Sequence, residues 1–232
     1  MKIQLRLICF AFVLSLSAFS PVTAEEEAKT VITGAEMEIT KGGKVVVFTG
    51  GAKVEKGPNT LTADRIVQDK KKNRVSASGG VVFTTINKDM EKMRGTSDKA
   101  VFDIDAEKGE LTGKRSEVKY YAKTSTGPII LRANSIAFDT KKDEMYAKGS
   151  VEIITSSITA YAPYAEFIQK KKNIILTGKR PQPLVIYYEK GKPNKYRADR
   201  ITFIGGGDRI KLEGNVKALV TVEDKDDSAT KK

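Results

Sequence analysis

The stretch from Leu61 to Phe83, LTADRIVQDKKKNRVSASGGVVF, contains the unit from which most of the chain is built. Apolar residues first alternate with polar ones, a lysine-rich run follows, and alternation resumes before Gly79, sixteen residues after Ala63. A period of two places one row of side chains on one face of a β-strand. The stretch therefore predicts two strands joined by a turn, with one buried face.

The same sixteen-residue copy occurs six times along the chain. Each copy opens with a small residue and closes with a glycine: Gly34 and Gly50, Ala63 and Gly79, Ser97 and Gly113, Ala133 and Gly149, Ala162 and Gly178, Ala198 and Gly214. Apolar residues fill most of the third and fifth positions after the opening and the fourth and second before the glycine. Gln68 and Gly109 are exceptions. Further alternation after most glycines leaves room for another strand pair, so the pattern predicts a stacked repeat architecture.

The predicted fold class is all-β, because no stretch beyond the N-terminal segment keeps an apolar helical period over three turns. The N-terminal segment has Lys2 and Arg6, an apolar run over residues 7–16, and Ala24 at a small-residue cleavage site. This run is short for a membrane span, although a retained anchor is the alternative. The predicted organisation is a signal peptide (1–24), a disordered leader (25–30), one β domain (31–222) and a disordered polar tail (223–232).

Several kinds of chemistry are excluded by composition. The chain has no histidine, and its one cysteine, Cys9, lies in the signal segment, so disulfides, thiolate nucleophiles, imidazole bases and the usual zinc sites are not expected. Asp64, Asp98 and Asp199 follow the opening residue of their copies and could form a carboxylate pair for glycoside hydrolysis. Other residue types hold this position in the other copies, so a structural role is simpler. We expect no catalytic residue, metal or cofactor.

The charge balance points to an anionic partner. The chain has 41 Lys and Arg against 29 Asp and Glu, and the lysines concentrate in the predicted turns, where they also keep sheet edges soluble. Nucleic acid is disfavoured because most aromatic residues fall on the apolar face. Copies three and five read Gly-Lys-Arg at their closing glycines. This insertion predicts either a bulge that redirects the strand or a basic clamp for an anionic group, formed by Lys114, Arg115, Lys179 and Arg180.

The apolar face has two interpretations: an ordinary closed core, or a groove that holds acyl chains. Burial of each methylene contributes about 0.8 kcal/mol, so a lipid with several chains would pass only to another groove or to a membrane. Unpaired terminal strands would let a second molecule continue the groove. The predicted lining residues are Met37, Ile39, Phe48, Ile66, Val75, Phe83, Phe102, Ile136, Phe138, Phe167, Ile174, Leu176, Ile201, Phe203 and Leu212.

Four segments resemble the OstA-like, or LptA-type, family of lipopolysaccharide-transport proteins. They are ITGAEMEI…VVVFTGGAKV within residues 32–54, LTADRIVQDKKKNRVSASGGVVF at 61–83, LRANSIAFDTKKDEMYAKGSVEI at 131–153 and YRADRITFIGGGDRIKLEGNVKAL at 196–219. The resemblance implies an antiparallel β-jellyroll open at both ends, with an interior that receives the acyl chains of lipid A. It also implies head-to-tail association into a bridge across the periplasm, with other bridge members at the inner and outer membranes.

On this resemblance, the expected function is a periplasmic lipopolysaccharide carrier that is not an enzyme, since the family's lipid movement is driven by an ATPase elsewhere. Two alternatives remain at the level of sequence. A retained N-terminal anchor would indicate the inner-membrane partner of the same system. A closed core would indicate a structural or adhesive β-repeat protein that binds no lipid. An enzyme acting on acidic polysaccharide ranks third and would require Asp64, Asp98 or Asp199 for activity.

Overall fold

The computed structural model describes residues 30–86, 91–121, 127–139, 141–168, 171, 173–189, 191–205 and 209–220. Within these ranges the regular elements are strands, with no helix and hence none that could cross a membrane. The strands are β1 (Thr30–Thr33), β2 (Glu36–Thr40), β3 (Val45–Lys56), β4 (Asn59–Asp69), β5 (Arg74–Ile86), β6 (Lys92–Asp103), β7 (Lys108–Tyr121), β8 (Ile129–Asp139), β9 (Glu144–Ile154), β10 (Ile158–Ile168), β11 (Asn173–Thr177), β12 (Leu184–Glu189), β13 (Lys192–Arg197), β14 (Arg200–Ile204), β15 (Arg209–Glu213) and β16 (Lys217–Leu219).

The strands form one antiparallel sheet that does not close on itself within the described residues. From β3 to β10, each strand pairs with its neighbours in sequence. Elsewhere two short strands lie end to end and together take the place of one long strand in the sheet, as β1 and β2 do beside β3. If each long strand or end-to-end pair is called a rung, the sheet has twelve rungs, two from each copy. The all-β prediction, with six repeated units and open ends, is confirmed.

The long rungs bend in the middle, where the pairing skips residues. In β3 the register breaks between Thr49 and Ala52, and both intervening glycines have positive φ, +73° and +74°. Corresponding breaks occur through β10. The opening residues and closing glycines therefore mark corners. Alternation after each glycine, which sequence predicted as a further strand pair, continues the same rung past its corner.

These corners divide the sheet into two layers. Layer 1 contains the half-rungs within the six copies, and layer 2 contains the half-rungs between them. Buried side chains of both layers, such as Ile66 and Leu176 of layer 1 and Leu61 and Val81 of layer 2, belong to a single core cluster. The sheet must therefore fold over along its corners so that the inner faces pack together, as in a β-sandwich. This is the jellyroll arrangement that the family resemblance implies.

The residue after each opening residue packs against the closing glycine of its own copy. A Cβ atom on Gly79 would overlap the Asp64 carboxylate, and one on Gly214 would lie 2.6 Å from Asp199 Oδ2. The backbone N–H of Lys114 donates to Asp98 Oδ2 at 3.0 Å. Asp199 accepts hydrogen bonds from Gln182 Nε2 at 2.7 Å and Asn215 Nδ2 at 2.8 Å. These acidic residues support the corners, which is the structural role preferred on sequence grounds.

The exception at Gly109 has a packing reason. Gly109 lies opposite Phe138 in the β7–β8 pair, and a Cβ there would overlap the Phe138 ring. Gly95 and Phe83 form the same arrangement between β6 and β5. Aromatic rings therefore fill the places of the missing side chains on the inner face.

The predicted signal peptide and polar tail lie outside the described residues. Thr30, predicted as the last residue of a disordered leader, is the first residue of β1 and pairs with Lys56.

Candidate functional site

The inner face brings together most of the predicted groove residues. Phe138 and Leu212 are half-buried against the core cluster. Eleven others are buried within it: Phe48, Ile66, Val75, Phe83, Phe102, Ile136, Phe167, Ile174, Leu176, Ile201 and Phe203. Apolar residues at the predicted positions thus share one continuous face, which is packed shut in the middle of the sheet.

Met37 and Ile39 lie on the same face but are 60% and 56% exposed. They pair with Phe48 and Val46, both in the core cluster, and directly opposed residues of an antiparallel pair share a face. Their exposure arises because β2 belongs to the first rung and has β3 as its only strand partner in the described sheet. The first rung therefore presents apolar inner-face side chains to solvent.

The opposite end of the sheet is also uncovered. Ile210 and Leu212 of β15 pair with Phe203 and Ile201, which belong to the core cluster. Ile210 is 36% exposed and Leu212 is half-buried. In layer 2 of the same rung, the inner-face residue is Ala218, which pairs with Tyr196 and is exposed. An apolar inner face therefore runs the length of the sheet and reaches solvent at both ends, which carry different residues.

A third opening to the inner face lies along the side opposite the corners. Six apolar residues near the turns on this side are only partly buried against the core: Ile104, Phe138 and Met145 in layer 1, and Met93, Ile129 and Tyr187 in layer 2. They lie along both edges of the seam, which is the line on the turn side of the sheet where the two layers meet. An apolar molecule could reach the buried face here if the layers moved apart.

Of the four basic residues predicted to bind an anionic group, Lys114 and Arg115 line a surface pocket and Lys179 and Arg180 lie exposed outside its lining. The pocket has a volume of about 550 Å³ and lies at the corners of β7 to β10. Its lining residues are Lys114, Arg115, Arg132, Ala133, Asn134, Ser150, Val151, Glu152, Tyr161, Ala162, Pro181, Gln182, Leu184 and Arg197.

The two Gly-Lys-Arg insertions adopt different structures. In β7 the pairing with β8 skips from Thr112 to Ser116, which is a bulge of the predicted kind. In copy five the strand instead ends at Thr177 and resumes as β12 at Leu184. Pro181 and Pro183 lie in this gap, and proline cannot donate the hydrogen bonds that a central strand requires.

A ladder of charged residues on β7, β8 and β9 includes Arg115, Arg132 and Glu152 of the pocket lining. Arg132 Nε donates to Glu117 Oε2 at 2.6 Å, and Arg132 Nη1 donates to Glu152 Oε2 at 3.0 Å. Arg115 Nη2 also reaches Glu152 Oε2, at 2.7 Å, and Lys119 Nζ reaches Glu117 Oε1, at 3.1 Å. Burial alone would raise the pKa values of both glutamates, but hydrogen bonds from the basic side chains outweigh it and hold them below their ordinary value. Both carboxylates therefore stay ionised at neutral pH.

Sequence reasoning missed Arg132 and Arg197 as pocket residues. Arg132 alternates with the buried Leu131 and Ala133, which marks it as outward-facing. Its position beside Arg115 depends on the bulge in β7, and the place of Arg197 depends on the interrupted rung of β11 and β12. Alternation within one strand does not determine either of these registers.

Comparison with known proteins places this architecture in a family. Residues 31–143 match the family model described as "LptA/(LptD N-terminal domain) LPS transport protein". These residues therefore form a segment of the LptA-type family. The predicted family is thus confirmed, and so is the prediction of a transport protein rather than an enzyme. The matched LptA-type segment spans β1 to β8, seven of the twelve rungs, and the later strands continue the same repeat.

Among solved structures, the chain is similar to the crystal structure of LptH from Pseudomonas aeruginosa. LptH is described as "the LptA homologous periplasmic component of the conserved lipopolysaccharide transport device". The match has 10% identity and a TM-score of 0.26, and covers 84% of this chain and 96% of LptH. No curated protein sequence matches the chain.

Proposed function

We propose that this protein is a periplasmic carrier of lipopolysaccharide that forms part of a bridge between the inner and outer membranes. The observation that carries the proposal is the continuous apolar inner face, which runs between two unlike ends and is exposed at each. The LptA-type segment supports lipopolysaccharide as the cargo, and the N-terminal segment supports export by a cleaved signal peptide.

Acyl chains of lipid A would lie between the two layers. Each methylene transferred from water to this apolar interior contributes about 0.8 kcal/mol, so a lipid with several chains would rarely leave into water. The central side chains pack against one another, so binding requires the layers to part along the seam that contains Phe138, Met145 and Ile129. Separation of the layers at the seam exposes the apolar inner face. The strand pairing inside each layer stays intact.

The ends of the sheet would transfer lipid to the next molecule. The edges of β2 and β15 have backbone groups available for pairing, and both carry apolar inner-face residues. Because the two ends of the sheet differ, the contact between two molecules of this protein is heterologous and head to tail. Related bridge members at the inner and outer membranes would occupy the terminal ends in the same way.

Photocrosslinking on opposite faces of one strand tests whether lipid binds the inner face. Phe102 is 4% exposed on the inner face, whereas Val101 is 38% exposed on the outer face. A photoreactive phenylalanine analogue at residue 102 of the signal-free protein should crosslink added lipopolysaccharide, and the same analogue at residue 101 should not. Mass spectrometry of the adduct provides the readout. Equal labelling at both positions, or no labelling at 102 when lipid is in excess, would contradict the proposal.

The alternatives have distinct outcomes. If residues 1–24 are retained in the protein recovered from cells, the chain is an anchored inner-membrane partner, and the intact mass decides this. The full burial of residues such as Ile136 and Leu176 favours a closed-core structural protein as the second candidate. That candidate predicts a lipid-free chain in native mass spectrometry at every lipopolysaccharide concentration.

A further inference from the structure

Two interruptions of the repeat lie around one place on the outer surface. The bulge in β7 contributes Lys114 and Arg115, and the segment between β11 and β12 contributes Pro181 and Gln182. Strands β8, β9 and β10 lie between them and supply the floor of the pocket. The pocket is therefore built by the two departures from the regular repeat.

The lining of this pocket is strongly basic. Lys114, Arg115, Arg132 and Arg197 face one carboxylate, Glu152, which gives the lining a net charge of +3 when all five are ionised. Arg115 and Arg132 share Glu152. Within the described part of the chain, Lys114 and Arg197 form no ion pair. The side chains that line the pocket therefore carry more positive than negative charge.

The basic side chains of the pocket are pre-organised to bind an anion. Arg132 is held between Glu117 and Glu152, and its side chain is 24% exposed at the floor. Arg115 is 64% exposed and can turn towards a ligand, since Glu152 keeps its contacts with Arg132 and with the Tyr161 hydroxyl. A guanidinium group binds phosphate through two parallel hydrogen bonds, and the lysine adds a point charge.

The volume indicates a ligand larger than phosphate alone. About 550 Å³ lies within the range of small-molecule sites, roughly 300–1,000 Å³. Leu184, Pro181 and the ring of Tyr161, which is 41% exposed, add apolar surface beside the charges. We propose that the pocket binds a phosphate monoester carried on a sugar. The site lies on the outer face, so its occupancy does not depend on lipid between the layers.

Calorimetric titration of the signal-free protein with glucose 1-phosphate, and with glucose as the uncharged probe, tests the proposal. The variant Lys114→Gln/Arg115→Gln/Arg197→Gln should bind glucose 1-phosphate at least tenfold more weakly than the parent. A control, Lys99→Gln/Lys195→Gln/Lys211→Gln, loses the same charge at exposed positions outside the pocket and should stay within twofold. Circular dichroism verifies that both variants fold.

Absence of glucose 1-phosphate binding to the parent at millimolar concentration would overturn the proposal. Equal weakening of glucose 1-phosphate binding in both variants would also overturn it. That result would indicate attraction by the overall positive charge of the protein rather than by this pocket. Crosslinking at residue 102 does not involve the pocket, so this proposal and the carrier function can fail separately.

Competition identifies the source of the ester. Displacement of glucose 1-phosphate by intact lipopolysaccharide, but not by chemically dephosphorylated lipopolysaccharide, assigns the site to a lipid-linked sugar phosphate. Displacement by neither assigns it to a soluble sugar phosphate, and either result supports the proposal. Equal displacement by both preparations would contradict recognition of phosphate.

Discussion

At the scale of single residues, the fold depends on glycines that allow the rungs to turn. Gly79 combines a φ of +80° with an approach so close that a Cβ would overlap Asp64. Gly42, in the first turn, has a similar φ of +63° but has no atom within 4 Å of a Cβ. The two positions therefore separate the backbone requirement from the steric one.

Alanine at Gly79 should destabilise the protein more than alanine at Gly42. A left-handed conformation costs a non-glycine residue about 1 kcal/mol, which both variants incur. Gly79→Ala must also displace the Asp64 side chain, so we expect a total loss of about 3 kcal/mol. Urea unfolding of the two variants measures the difference. Equal losses would mean that the contact between Asp64 and the corner contributes nothing.

At the scale of elements, the sequence predicted what is local and missed what depends on register. The corners and inner-face positions followed from alternation and glycine spacing, because each is set within one strand. The outward ladder of Glu117, Arg132 and Glu152 needs three strands in register across two bulges. Nor did alternation reveal that the layers pack shut, since the same apolar face suits a closed core and an open groove.

Replacement of Arg132 by methionine should weaken the protein in a pH-dependent manner. Arg132 holds the pKa values of Glu117 and Glu152 below the ordinary 4.5, so its stabilisation is present above that pH and is lost as pH falls through the lowered values. We expect Arg132→Met to cost about 2 kcal/mol at pH 7 because it leaves two half-buried carboxylates without this partner. The cost should shrink as pH falls from 5 towards 3.

Unfolding curves at several pH values give this profile. Lys53→Gln is the matched control, because it removes an ion pair with Glu55 whose side chains are 43% and 42% exposed. Such exposed pairs contribute less than about 1 kcal/mol. A constant cost of Arg132→Met from pH 7 to pH 3 would show that the arginine acts through packing rather than charge.

At the scale of the whole molecule, the unlike ends make a specific demand on assembly. If molecules join head to tail, the end with Met37 and Ile39 meets the end with Ile210 and Leu212. A charge at either end should then block one of the two contacts that each molecule makes with its neighbours. The exposure of Ile39 and Ile210 means that substitution there spares the central core.

Ile39→Asp and Ile210→Asp should each be monomeric at concentrations where the parent associates. An equimolar mixture should form dimers and nothing larger, because each variant retains one intact end. Sedimentation velocity distinguishes these states, and Val101→Asp on the outer face should associate like the parent. Dimers of either variant alone would contradict head-to-tail assembly.

The stacking of two rungs per copy makes the chain a molecular ruler. Strands in a sheet lie about 4.8 Å apart, so twelve rungs extend roughly 50 Å and each copy adds about 10 Å. The width is fixed separately, by half-rungs such as β2, β11, β14 and β15, which have five residues each. Gain or loss of a whole copy would therefore change the length of the molecule and leave its width unchanged. The distance that the molecule spans can thus change in evolution while the interior stays the same.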